Sequence, residues 1–135
     1  MKVYIELEST ITGSDGEKDT ITHKGNAMLK ETNGLYRLSF PISGVMQTLV
    51  FDRENPGQME LQREGDRLVF DTSCETEGRY KTEYFTLFPR IQTKNLTVLF
   101  LKSSISLRLS YKMDISGEIQ HFDMAIEVKY ASDGK

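Results

Sequence analysis

Tryptophan is absent from this 135-residue sequence, and cysteine occurs once, at position 74. A single cysteine excludes an internal disulfide and is typical of a reducing compartment. Long apolar runs are also missing: the longest, residues 96–101, has the length of a buried strand, whereas a membrane span needs roughly 18 residues. Residues 1–10 alternate charged and apolar side chains, unlike a signal peptide. These absences predict a cytoplasmic protein without a membrane segment.

The net charge is small, −3 from 17 basic and 20 acidic residues. An acidic chain repels phosphate backbones, which disfavours a general nucleic-acid function. The charge is nevertheless uneven, because residues 79–112 hold seven basic residues and one acid, a local balance of +6. The seven are Arg79, Lys81, Arg90, Lys94, Lys102, Arg108 and Lys112. This basic segment is a candidate anion-attracting surface, provided that strand alternation does not divide it between two faces.

The dominant period of the sequence is two. Val3, Ile5 and Leu7 alternate with polar neighbours, and residues 105–113 repeat the pattern, as half-buried strands do. Glycines recur mostly every eight to thirteen residues, which is the spacing of strand plus turn. The predicted strands cover residues 2–11, 19–24, 26–32, 35–40, 46–52, 58–63, 67–72, 79–87, 96–102, 105–113 and 118–130. The length fits one domain, residues 1–135.

Turn signals separate these strands. Asn33 and Gly34 tolerate the positive φ angles of a type I′ hairpin, and residues 55–57, 64–66 and 116–117 predict further turns. Gly25 predicts a bulge or bend, so that residues 19–24 and 26–32 form either two strands or one bent strand. Closing such a sheet removes its exposed edges. We therefore predict an all-β fold, a single antiparallel up-and-down β-barrel of about 8–10 strands, with a two-sheet sandwich as the alternative.

The C-terminal half carries a family resemblance. Residues 77–96, EGRYKTEYFTLFPRIQTKNL, and residues 106–128, SLRLSYKMDISGEIQHFDMAIEV, resemble the DUF1934 family of YwiB-like small bacterial proteins. The family pattern is Gly-x-Tyr-x-Thr, then Thr-x-x-Leu, then Leu-x-Tyr and a glycine turn before a final strand. The matching positions are Gly78, Tyr80 and Thr82; Thr93 and Leu96; Leu109 and Tyr111; and Gly117. Residues of the NGLYRLSF and LQREGDRLVF stretches also look like family hairpins.

One departure from the family pattern falls after Thr82. Family members usually continue with Pro-Tyr-Gly, whereas this chain has Glu83, Tyr84 and Phe85. The substitution puts the tight turn in doubt and favours a continuing strand over residues 79–87. The resemblance implies a calycin-like, lipocalin-like antiparallel barrel of uncharacterised function. It implies no chemistry.

No catalytic constellation can be assembled from the sequence. Cys74 is flanked by Asp71, Glu75 and Glu77, whose carboxylates would oppose thiolate formation. His23 and His121 have no metal-ligand spacing with each other or with the cysteine. We therefore expect a protein that is not an enzyme and that has no metal and no cofactor.

The candidate ligand-binding residues are hydroxyl-bearing residues of the predicted strands 79–87 and 105–113, together with two arginines. Tyr80, Thr82, Tyr84 and Tyr111 are expected to place hydroxyl groups in or near the barrel interior, where buried hydroxyls need partners. Arg79 or Arg108 would meet an anionic head group. The leading hypothesis is thus a binding protein for a small apolar or amphipathic ligand in the barrel lumen.

Two other hypotheses stay open. The first is a filled barrel that meets a protein or a nucleic acid through a basic outer surface between Arg79 and Lys112, and the second is an enzyme. The sequence leaves the oligomeric state undetermined.

Overall fold

The computed structural model describes residues 1–130, which form twelve antiparallel strand segments and no helix. The strands are β1 (Lys2–Thr12), β2 (Lys18–Thr32), β3 (Leu35–Ile42), β4 (Val45–Asp52), β5 (Asn55–Arg63), β6 (Asp66–Asp71), β7 (Thr76–Glu77), β8 (Tyr80–Lys81), β9 (Thr86–Leu87), β10 (Arg90–Phe100), β11 (Ser104–Ile115) and β12 (Glu118–Tyr130).

Ten strands form one antiparallel sheet in the order β6-β5-β4-β3-β2-β1-β12-β11-β10-β7, and β8 pairs only with β9. The sheet curls into a nearly closed barrel, which confirms the predicted all-β, calycin-like fold. Most neighbours in the sheet are also neighbours in sequence, so the chain winds up and down. Alternate residues face inward along each strand, as the period of two predicts.

Three hairpins have both central residues at positive φ, as type I′ turns require. Asn33 and Gly34 have φ angles of 52° and 87°, and Ser116 and Gly117 have 53° and 90°. These two predicted turns are confirmed, and Ser43 with Gly44 forms a third. The predicted turn at residues 55–57 is wrong. Asn55 already pairs with Asp52 as the first residue of β5, so the chain reverses earlier, at Arg53 and Glu54.

Of the alternatives predicted at Gly25, a single strand is confirmed, and no bulge is present. β2 is one strand, and its pairing with β1 runs without a register shift through the Gly25–Ile5 pair. Register shifts lie instead in β10, between Thr93 and Asn95, and in the pairing of β4 with β5, between Phe51 and Asp52.

The predicted strand over residues 79–87 is also wrong, because the chain reverses there in the short hairpin of β8 and β9. The Thr82 amide donates to the Phe85 carbonyl oxygen at 2.8 Å, and the Thr82 hydroxyl donates to the same oxygen at 2.7 Å. The Phe85 amide in turn donates to the Thr82 hydroxyl at 3.1 Å. A threonine-held turn therefore stands where proline and glycine make the turn in the family pattern.

Gly78 lies where the barrel closes. The neighbouring Arg79 exchanges two backbone hydrogen bonds with Arg67 of β6, at 2.7 and 2.8 Å, and the Gly78 amide donates to the Pro89 carbonyl oxygen at 2.9 Å. The segment thus joins β6 to the chain leading into β10. A Cβ atom at Gly78 would lie 2.9 Å from a methyl carbon of Leu68 and 3.0 Å from the Arg67 carbonyl oxygen, so any other residue would have to displace both.

The barrel interior is filled for most of its length. Its largest fully buried side chains are Ile5, Leu38, Phe40, Leu49, Phe51, Phe70, Ile91, Ile105, Leu107, Leu109, Ile126 and Val128. At one end, the rings of Tyr36, Phe51 and Phe100 cluster, and the Arg53 guanidinium lies 4.2 Å from the centre of the Phe100 ring. We call this the closed end. The opposite end is open.

Candidate functional site

The open end arises where the ladder between β2 and β3 stops. Met28 pairs with Ser39, and the next hydrogen-bonded pair in this register would join Asn26 to Pro41. Proline has no amide hydrogen, so it cannot supply that pair's second bond. β2 continues along β1 as far as Lys18 without a neighbour on its other side. The barrel is therefore splayed at this end, between β2 and β3.

A pocket of about 180 Å³ lies at this splayed end, and we call it the mouth pocket. It is lined by Leu7, Ser9, Ile11, Ile21, Phe40, Ile42, Gln47, Leu49, Leu61, Arg63, Tyr111, Phe122 and Met124. These side chains come from β1 to β5, β11 and β12 and belong to the inward rows of their strands. The pocket is thus the unfilled end of the barrel interior.

Aromatic rings form one wall of the mouth pocket. The ring centre of Tyr111 lies 4.5 Å from that of Phe70 and 4.6 Å from that of Phe122, with the second pair stacked. Burial raises the pKa of the Tyr111 hydroxyl well above its ordinary value, and the nearby positive charge of Arg63 opposes part of that rise. Tyr111 therefore presents a neutral hydroxyl group, which can donate or accept a hydrogen bond, to a ligand in the mouth pocket.

The polar groups of the pocket are few. Arg63 donates from Nε to Asp66 at 2.8 Å, and its guanidinium carbon lies 5.4 Å from the centre of the Tyr80 ring. Gln47 is buried on β4, where it is paired with Phe40 of β3 and Arg63 of β5. An apolar wall with one guanidinium, one amide and the hydroxyl groups of Ser9 and Tyr111 is suited to holding an apolar group with a polar or anionic head.

Two larger hollows lie elsewhere on the surface. One, of about 320 Å³, is lined largely by outward side chains of β4 to β6, such as Val50 and Glu60. The other, of about 510 Å³, lies beside Met1 and Tyr130 at the closed end. The mouth pocket is smaller than either, but its lining comes from the inward rows of seven strands and includes the buried Phe40 and Leu49. It is the best candidate for a lumenal site.

The predicted inward row is divided by the structure. Tyr111 lines the mouth pocket, and Tyr80 lies half-buried against Arg63. Thr82 is used in the β8–β9 turn. The prediction that Tyr84 faces the interior is wrong, because its side chain is 84% exposed at the tip of that turn. The physical reason is the chain reversal, which ends the strand alternation on which the prediction depended.

The two predicted arginines lie outside the pocket. Arg79 is exposed and donates from Nε to the Gly65 carbonyl oxygen at 3.2 Å. Arg108 lies on the outer face of β11, in a shallow polar hollow with Glu8 and Asp123. Neither is among the residues that could meet a head group in the mouth pocket.

The basic segment is dispersed over the barrel. Lys102 lies in the turn before β11, whereas Lys112 lies near the far end of that strand, ten residues or about 33 Å further along. Arg108 faces outward between them, and Arg79 lies across the closure beside β6. The local charge of +6 is therefore a feature of the sequence and not of one surface patch.

The histidines and the cysteine lie apart. His23 is on the inward row of β2, His121 pairs with Lys112 and Thr12 from β12, and Cys74 is exposed in the loop before β7. Among residues 1–130, no group of three or more His, Cys, Asp or Glu side chains is placed to hold a metal ion. The same residues contain no helix with the length and apolar character needed to cross a membrane.

Arg63, Gln47 and Ser9 are the polar pocket residues that the sequence analysis missed. Arg63 and Gln47 interrupt otherwise apolar rows. Both occupy inward positions, since Arg63 follows Met59 and Leu61 on β5, and Gln47 precedes Leu49 and Phe51 on β4. A polar residue within an apolar row of period two was the available signal. It marks a side chain that faces the barrel interior.

The fold and the mouth pocket define a small calycin-like antiparallel β-barrel that is filled at the centre and open at one end. The family model described as "Domain of unknown function (DUF1934)" matches residues 5–127. The chain therefore belongs to the DUF1934 family.

A solved structure agrees with this fold. The chain is similar to the ywiB protein from Bacillus subtilis, whose crystal structure superposes with a TM-score of 0.80 at 17% sequence identity. The similarity covers 97% of this chain and 92% of that protein. No curated protein sequence matches the chain significantly. These comparisons establish the family and the fold.

Proposed function

We propose that this protein is a non-catalytic binding protein that takes a small apolar or amphipathic molecule into the mouth pocket. The observation that carries the proposal is the convergence of inward apolar side chains on a cavity that also holds Arg63, Gln47 and Tyr111. The proposal assigns no reaction because neither Cys74 nor either histidine is among the residues that line the pocket.

The size of the pocket restricts the ligand. Its volume of about 180 Å³ is below the roughly 300–1,000 Å³ of sites for drug-sized molecules. A short acyl chain or a single aromatic ring is therefore the expected apolar part. The Arg63 guanidinium, which is bound to Asp66 on one side, is the expected partner of a carboxylate head.

Binding can be measured by isothermal titration calorimetry with straight-chain carboxylates from butanoate to dodecanoate. We expect saturable binding that strengthens with chain length until the pocket is filled and then stops improving. Each methylene that enters the pocket should contribute about 0.8 kcal/mol. Absence of saturable binding along the whole series would refute the proposal.

Two adjacent residues of β1 supply a matched pair of variants. Ser9 lines the mouth pocket, whereas Thr10 faces outward. Ser9→Phe should fill the cavity and abolish binding, and Thr10→Phe should leave it unchanged. Equal affinities of the two variants would show that the carboxylates bind outside the mouth pocket.

The role of the head group is tested separately. Arg63→Gln should lower the affinity for the carboxylates by about tenfold or more, because a charge-assisted hydrogen bond is lost. The corresponding alcohols lack the charge, so their binding should change little. If the variant weakened both series alike, Arg63 would be a structural part of the pocket and not a recognition group.

A further inference from the structure

We propose that the free edge of β2, residues 18–26, binds an extended peptide segment of a partner protein by strand addition at the splayed end of the barrel. This proposal does not depend on the small-molecule function above, because the strand would be held by backbone groups, and the mouth pocket enters only into the expected side chains of the peptide.

The hydrogen-bond pattern of β1 and β2 shows which backbone groups are free. Met1 and Leu29 exchange both bonds, at 3.1 Å and 2.9 Å, so they form a hydrogen-bonded pair. Such pairs alternate along an antiparallel ladder, and this ladder has no register shift down to Lys18. The odd-numbered residues of β2 therefore bond to β1. The even-numbered ones, Thr20, Thr22, Lys24 and Asn26, turn their N–H and C=O groups away from β1.

Within residues 1–130, these four residues have no strand on their free side. β3 pairs with β2 only from Met28 onward, and no residue among 1–130 makes another hydrogen bond to the four backbone units. Opposite Asn26, β3 presents Pro41, which offers a carbonyl oxygen but no donor. The chain cannot close this gap itself. A row of alternating free donors and acceptors is the template on which a further strand pairs.

Side chains of β2 and β3 form an apolar floor beneath the gap between the two strands. The rings of His23 on β2 and Phe40 on β3 stack with their centres 6.2 Å apart, so they bridge the two strands on the inner side of the gap. Ile21 is 44% exposed beside them. The Nε2 atom of His23 is buried without a hydrogen-bond partner in the described part of the chain. An added strand would cover the apolar floor and could supply that partner.

The geometry favours a single extended segment over a second barrel. β3 pairs with β2 as far as Met28 and Ser39, so a strand added to residues 18–26 must fit beside the end of β3, and a single extended segment is the least bulky partner that does so. The adjoining mouth pocket, at about 180 Å³, has room for one large apolar side chain. We therefore expect a peptide in which every second residue faces inward and is apolar, with an aromatic or branched aliphatic residue among these inward positions.

The test begins with selection of phage-displayed random decapeptides on the purified full chain. Enriched peptides should show apolar residues at alternate positions. On binding the synthetic peptide, the amides of Thr20, Thr22, Lys24 and Asn26 should exchange with deuterium at least about tenfold more slowly, as new backbone hydrogen bonds predict. Failure to enrich any peptide, or protection that appears elsewhere, overturns the proposal.

Backbone N-methylation of the peptide supplies a matched control. Successive amides of an extended strand point to opposite sides, so methylating the set that faces β2 should weaken binding about tenfold or more per bond lost, while methylating the other set should leave it within about twofold. Equal effects of the two sets would overturn strand addition. The same four amides could also become protected without peptide, in a concentration-dependent way and together with a dimer in sedimentation. That result would overturn the peptide proposal, because the partner of the β2 edge would then be a second copy of the chain.

Discussion

Replacement of Gly78 by alanine tests whether the barrel is closed by backbone contact. A Cβ atom at this position would lie 2.9 Å from a Leu68 methyl carbon, 3.0 Å from the Arg67 carbonyl oxygen and 3.2 Å from an Ile91 methyl carbon. The Arg67 oxygen is backbone and also accepts the Arg79 amide at 2.7 Å. It cannot move aside as a flexible side chain could. The added methyl group must therefore push β6 away from the closing segment.

The expected cost has two parts. Insertion of a methyl group into a packed interior costs about 1–3 kcal/mol. Weakening of the two Arg67–Arg79 hydrogen bonds adds about 0.5–1.5 kcal/mol for each bond that is lost. Because both effects come from one displacement and partly overlap, we expect Gly78→Ala to lower the free energy of unfolding by about 2–4 kcal/mol.

Gly25→Ala is the matched control, because Gly25 also lies in extended backbone. A Cβ atom there would meet nothing closer than 3.6 Å, an ordinary contact with the His23 ring. This variant should be neutral or more stable by up to about 1 kcal/mol, since alanine has less freedom to lose on folding. Urea unfolding of both variants, followed by circular dichroism, measures the difference. Equal stabilities would refute the closure argument.

The remaining predictions concern ionisation, the splayed end and the cysteine. Because burial raises the pKa of Tyr111, the folded state retains that proton more tightly than the unfolded state. Stability should therefore be fully present below about pH 10 and fall as the pH rises further, by at most about 1.4 kcal/mol per pH unit for this group. Tyr111→Phe should flatten that fall in urea titrations between pH 9 and 12, and an unchanged slope would contradict the assignment. Pro41→Val should extend the β2–β3 ladder by one pair, seen as slow hydrogen exchange of the new amide at position 41; fast exchange would mean that proline is not what ends the ladder. Cys74→Ser should change the free energy of unfolding by less than about 0.5 kcal/mol, because the residue is exposed, and a larger loss would assign the thiol a structural role.

Local signals in the sequence were sufficient for much of the fold. The period of two in β1 and β11 predicted half-buried strands correctly, because strand alternation follows from backbone geometry alone. The Asn33-Gly34 and Ser116-Gly117 pairs predicted their hairpins because few residues tolerate positive φ. The family resemblance was confirmed by the match over residues 5–127.

The candidate site could be predicted only in part. Tyr111 was expected near the interior and lines the mouth pocket. Tyr84 was placed on the same inward row and is instead exposed, because the Thr82 hydroxyl holds a turn that has no obvious local signature. Arg63 was overlooked because charged residues seldom occupy the inward row of a barrel strand.

The sequence by itself determined an antiparallel sheet of period-two strands, the positions of its tightest hairpins and the family. These properties depend on residues that are close in sequence. Only the tertiary structure decided that Gly78 closes the barrel, that Pro41 faces Asn26 and leaves the edge of β2 free, and that the basic segment is dispersed. Each of these depends on which strands become neighbours and in what register, and that is a property of the whole closed sheet.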